Sequence, residues 1–165
     1  KNVNLSQIKG DKFIYANIRT ARLVGVKPVL HINYSDTPLA FSGKTKLVLP
    51  HKMYGFPYLD SKGEYGISNR DNYVVDGFEE DELSIIKEFL STKTALYVYE
   101  ATRYRMKYLE KYAFLFLPDV TKMPSLISKR PITDETIADC FGLDDVDRGH
   151  VERLHKKIYD FEYVR

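Results

Sequence analysis

At 165 residues, with 44% apolar and 29% charged side chains, the chain is sized for one globular domain that buries roughly two-thirds of its unfolded surface. One cysteine, Cys140, excludes an internal disulfide and a cysteine-built zinc site and suits a reducing, cytoplasmic setting; no run approaches the ~18 apolar residues needed to span a bilayer. The formal charge of +2 hides an asymmetry, since residues 1–75 hold 11 basic and 5 acidic side chains and residues 76–165 hold 14 and 18.

The opening Lys1-Asn2-Val3-Asn4 has neither an apolar signal core nor an initiator Met, as expected of a piece of something longer. Residues 12–18 and 27–33 then read as short strands from their β-branched and aromatic content. Thr45–Leu49 is a third, stopped by Pro50, and Glu64–Ile67 and Asn72–Val75 follow between Gly, Ser, Asn and Asp turns. Strands this short and this evenly spaced predict a small antiparallel sheet or curled barrel.

The pattern changes at Glu79. Acid at residues 79–82 complements a helix N-terminus, and Leu83, Ile86, Phe89 and Leu90 recur at three-and-four spacing. A second helix is expected over Thr94–Tyr104, and residues 113–117 read as a short buried segment ending at Pro118. Thr133 is placed to cap a helix over Asp134–Phe141, with Gly142 as its left-handed stop. A longer helix is expected from Asp145 to Tyr159. The predicted fold class is α+β: a short-stranded antiparallel sheet in the first half and a helical C-terminal half. The expected division is 1–130 for the mixed domain and 131–165 for a helical pair packed on it.

Several motifs tempt and then fail. Ser42-Gly43-Lys44-Thr45 resembles the end of a phosphate-binding loop, but Pro38 stands where the first glycine belongs and a strand follows instead of a helix. His150 and His155 have the wrong spacing for two ligands on one helix face, and His31 and His51 lie at strand ends without an acidic pair. Cys140 beside Phe141 is expected to be a core thiol. Asp60-Ser61-Lys62, with Asp36 upstream, loosely fits a metal-dependent nuclease, although Lys62-Gly63 looks like a turn.

Residues 101–108 are the richest segment, with basic and aromatic side chains alternating through Arg103-Tyr104-Arg105-Met106-Lys107-Tyr108. Guanidinium groups bind phosphate or guanine in bidentate fashion, and tyrosines pack on sugars and bases. The competing reading is a helix with core tyrosines and solvated charges. Lys52, Tyr54, Arg70 and Asn72 form a second cluster in the strand-rich half. If the basic regions of the two halves meet, they make one positive face suited to a phosphate backbone.

Four segments together resemble a known family. They are Lys27-Pro28-Val29-Leu30-His31; Lys46–Pro50 followed by Lys62-Gly63-Glu64-Tyr65-Gly66-Ile67-Ser68; the Glu79–Leu90 helix with Ser91-Thr92-Lys93 and Arg103-Tyr104-Arg105; and Thr133-Asp134-Glu135 with Phe141-Gly142-Leu143 and Val151-Glu152. Their order and spacing are similar to the target-recognition region of adenine-specific DNA methyltransferases of the restriction-modification type. The resemblance covers residues 27–155 and implies double-stranded DNA as partner, beside a separate catalytic domain that binds S-adenosylmethionine. A cofactor loop and a target-adenine motif are absent, so no cofactor and no catalysis are expected of this chain itself. Lys44, Lys46, Lys52, Arg103, Arg105 and Lys107 are the expected phosphate contacts. Tyr54, Arg70, Asn72 and Tyr104 are the expected base contacts. The main alternative is a protein-interaction or assembly module with the same fold, favoured by acids crowding residues 76–88 and 134–147.

Overall fold

The computed structural model describes residues 3–51, 56–103 and 108–154. Their elements run β1 (Leu5–Ser6), β2 (Tyr15–Val24), β3 (Lys27–Ser35), β4 (Lys46–Pro50), β5 (Tyr58–Asp60), β6 (Gly66–Ile67), β7 (Asn72–Val75), α1 (Glu80–Leu90), α2 (Lys93–Ala101), α3 (Pro124–Ile127), α4 (Asp134–Phe141) and α5 (Asp145–Leu154). Two 3-10 turns, Lys111–Phe116 and Val120–Lys122, lie between α2 and α3. The class is α+β.

The strands form two sheets rather than one. The first has order β1-β3-β2-β6 and the second β5-β4-β7. All pairings are antiparallel except β2 with β6, which run parallel through Asn17↔Gly66 and Ile18↔Ile67. At that parallel contact a side chain on Gly66 would strike Asn17 Oδ1 and stand 2.7 Å from Ser42 Oγ, so only glycine fits.

β4 organises the stack because it is buried on both faces. Leu47 and Leu49 point toward the helices and join Leu83, Phe89, Leu96 and Tyr99 in the larger core. Val48 points the other way, where it meets Ile18, Ala21 and Leu30 of the first sheet and Tyr58 of β5. Alternation along one strand thus builds three layers: sheet, sheet, helices. The 72–75 strand and the 134–141 helix match their sequence-predicted bounds, the expected Glu79–Leu90 helix begins one residue later with Glu79 as its cap, and Gly142 takes the left-handed conformation at φ 66°.

The first hairpin departs from expectation. Its leading strand runs over Tyr15–Val24 instead of 12–18, because the register shifts by one residue between Ile18 and Thr20. That bulge resets which residues face inward and hides the alternation beyond it. The segment at 113–117 also differs: only Ala113 is buried, while Leu115 is 83% and Phe116 65% exposed. A short 3-10 turn offers one packing face, and Phe114 uses it against Tyr73 and Tyr99.

Side-chain clasps fix the helical layer. Asp134, at the start of α4, accepts the N–H groups of Lys93 (3.1 Å) and Thr94 (2.8 Å) and so caps α2 across the fold. Arg130 reaches α1, bonding Glu88 at 2.6 Å and Asp81 at 2.7 Å. Cys140 is half-buried with Sγ 3.2 Å from Ser125 Oγ, so it sits at the edge of the core.

Candidate nucleic-acid interface

Among the described residues, the expected DNA contacts Lys44, Lys46, Arg70, Asn72 and Arg103 do not form one set. Lys46 is a correction: it is fully buried in β4, where its ammonium bonds Asp60 Oδ2 at 2.5 Å and Lys44 O at 3.1 Å. It lies on the inter-sheet side of the strand, and Asp60 is its direct cross-strand neighbour in β5. Asp60 also accepts the N–H groups of Glu64 and Tyr65, fastening the 60–65 turn. Both carboxylate oxygens accept hydrogen bonds and Asp60 is buried, so it stands inside the fold as the partner of Lys46 rather than at a surface metal site. Among the described residues no three His, Cys, Asp or Glu side chains group as metal ligands.

Lys44 is exposed but stands at the opposite end of β4 from Arg70, with its head group 3.4 Å from Asp76. Arg103 is half-buried and paired with Glu100 at 3.0 Å. Asn72 serves the scaffold, its Nδ2 donating to Arg19 O and Asn69 O at 3.0 Å each and so tying β7 to the first sheet. Lys52, Tyr54, Tyr104, Arg105 and Lys107 lie outside the described residues, as does His155. The described neighbours of those segments do meet. His51 stacks on Tyr108 with ring centroids 5.0 Å apart, and Leu109 N–H donates to His51 O at 2.8 Å. His31, half-buried, faces Thr20 across the hairpin, and His150 Nδ1 lies 3.2 Å from Arg153.

A different basic group comes together beside this junction. The turn carrying Arg70 is stitched to β2 by Ser68 N–H to Ile18 O (3.1 Å) and by Asn72 to Arg19 O. It reaches β4 through His51 N–H, which donates to Asp71 O at 2.9 Å. Arg19 and Arg70 are exposed on this edge, and Arg22 follows along β2 opposite Val29. None of the three arginines has an ion pair among the described residues. Lys27 stands exposed farther along the same hairpin. Asp71 is the acid within the turn, and its carboxylate accepts from Asn69 Nδ2 at 3.3 Å.

Sequence reasoning missed Arg19 and Arg22 because it ended the strand at residue 18. The signal was present as Arg19-Thr20-Ala21-Arg22-Leu23, where arginines bracket a buried alanine, but reading it requires the bulge. Guanidinium groups on a twisted two-stranded ribbon can engage phosphates in bidentate fashion, and such a ribbon fits the ~12 Å major groove of B-DNA.

No helix among the described residues is long and apolar enough to cross a membrane. Comparison with family models, with curated proteins and with solved structures finds no match to this chain.

Proposed function

We propose that this chain is a non-catalytic module that binds double-stranded DNA through the edge formed by the β2–β3 hairpin and the 68–72 turn. The observation that carries this reading is the grouping of Arg19, Arg22 and Arg70, exposed and without ion pairs among the described residues. Three guanidinium groups without ion pairs among the described residues are available for phosphate. The sequence resemblance supplies the setting: a recognition module beside a methyltransferase or restriction-modification catalytic domain, with S-adenosylmethionine held by that other domain. A reducing intracellular compartment, where Cys140 stays a thiol, suits the role.

The test is a titration of fluorescent random-sequence duplex at low and moderate salt. Three phosphate contacts predict a log–log salt slope of about −3, and Arg19→Ala/Arg22→Ala should flatten it by about two units. Absence of binding at low salt, or an unchanged slope in the double variant, overturns the proposal.

A second reading, a protein-interaction module, is favoured by one observation. Tyr112, Leu115 and Phe116 stand exposed together on one 3-10 turn, a surface with no use in phosphate binding.

A further inference from the structure

We infer that the open edge of β7 is a docking site for an extended apolar segment of another polypeptide, one that carries acidic residues at one end. This inference does not rest on the DNA reading, although Asn72, the first residue of β7, also closes the turn that carries Arg70. β7 is the terminal strand of its sheet, and among the described residues no backbone pairs with its outer side.

The register shows which groups face outward. His51 N–H donates to Asp71 O, which marks 51/71 as a hydrogen-bonded pair. Antiparallel ladders alternate between bonded and non-bonded pairs, so Leu49/Tyr73 and Leu47/Val75 bond and Pro50/Asn72 and Val48/Val74 do not. Pro50, which has no N–H, falls at a non-bonded position as it must. Asn72 and Val74 therefore turn their N–H and C=O groups away from β4, toward the open side.

A recess of about 370 Å³ follows that side and is lined by all four residues of β7. Phe41 forms one wall, and Leu49, Lys111 and Phe114 complete the lining. Val75 and Phe114 also border a second, apolar recess of about 270 Å³ that runs toward Leu117 and Val120. Phe41 is held at φ 65°, a conformation that costs a bulky residue of order 1–3 kcal/mol and that collects at binding sites. Lys44 Nζ lies 5.9 Å from its ring centroid.

The shape and charge select the occupant. Walls on both faces of the edge admit a single strand and keep out the edge of a second folded sheet. An incoming strand pairs its backbone with Val74 and Asn72, and its side chains alternate between the Phe41 wall and the Phe114 wall. Lys111 is exposed at the rim without an ion pair among the described residues, so one end of the segment is acidic.

The probe is a fluorescein-labelled nonapeptide of alternating valine and threonine with two aspartates at one end. Anisotropy should rise saturably with the chain, and folded Val74→Pro, which deletes one outward N–H, should bind at least about tenfold more weakly. Val74→Thr keeps that N–H and should bind as the parent does. If Val74→Pro fails to fold, the Val74 amide of the parent chain gives the answer, since its hydrogen exchange should slow at saturation. Absence of saturable binding, full binding by a folded Val74→Pro chain, or unchanged Val74 exchange overturns the inference. So does a chain that sediments as a dimer and ignores the peptide, which would place a second copy on the edge.

Discussion

Replacing Lys46 by methionine keeps the length of the side chain and deletes the charge that faces Asp60 between the sheets. The carboxylate would then remain buried with two N–H donors and no counter-ion, and breaking such a pair typically costs about 3–5 kcal/mol. Urea denaturation of Lys46→Met should show a loss of that order, while DNA affinity measured on the remaining folded protein stays at the parent value. Sequence patterning read Lys46 as a surface cation because basic residues around a turn are usually solvated. What it lacked was β5, the strand that places Asp60 opposite. Tyr99 gives the converse case. Its ring packs against Phe114 in the larger core, its hydroxyl has no hydrogen-bond partner among the described residues, and burial pushes the phenol far above its ordinary value. Tyr99→Phe removes an unsatisfied polar atom and should raise stability by about 1 kcal/mol, seen as a higher urea midpoint at constant slope. A lower midpoint would show that the hydroxyl is bonded after all.

Elements that declare both ends in sequence emerged within one residue of their expected bounds. The helix over 80–90 begins in acid, with Glu79 N–H bonded to Glu82 at 2.9 Å, and that over 134–141 runs from a capping threonine to a left-handed glycine. Elements defined by distant partners did not. The β2–β3 hairpin needed its bulge, and β5 is a three-residue strand whose existence depends on β4. The segment between Pro118 and Ile132 is held by Arg130, which anchors it to α1. Burial raises the Glu88 carboxyl, but hydrogen bonds from Arg130 and Ile132 and the Arg130 charge outweigh it and hold the group below its ordinary value of 4.5. A depressed carboxyl contributes stability that is complete above pH 4.5 and drains away as the pH falls below it. Thermal melts across that window should therefore drop on acidification in the parent chain. In Arg130→Met the same drop should be smaller, because most of the force lowering Glu88 has gone. Equal slopes would assign the acid sensitivity to another group.

At the scale of the whole molecule, the basic side chains of the two halves do not form one positive face among the described residues. Lys44 and Arg103 carry acidic partners and stand apart, and Lys46 is interior. The arginine edge arises instead where the first sheet, β4 and the 68–72 turn abut, a convergence set by stacking rather than by sequence order. The sheet-then-helices order was legible because periodicity changes once, near Glu79. The division of the strands into two layers was not, since only the long-range pairing of β2 with β6 and of β4 with β7 decides it. The recess beside β7 and the arginine edge meet at Asn72 but differ in chemistry, one lined mostly by apolar side chains and the other by guanidinium groups. Salt should discriminate between them: raising it weakens duplex binding steeply and leaves peptide docking nearly unchanged. Parallel loss of both would mean a single shared surface.

The clasp between Asp134 and the first turn of α2 also bears on the order in which the molecule comes together. The carboxylate that satisfies Lys93 N–H is 41 residues downstream, and a chain made from its N-terminus exposes residues 93–94 well before that cap exists. Until then those two amide groups have only water, while the Thr92 hydroxyl already accepts from Ala95 N–H. The start of α2 is thus written early and closed late, when Asp134 arrives to cap it.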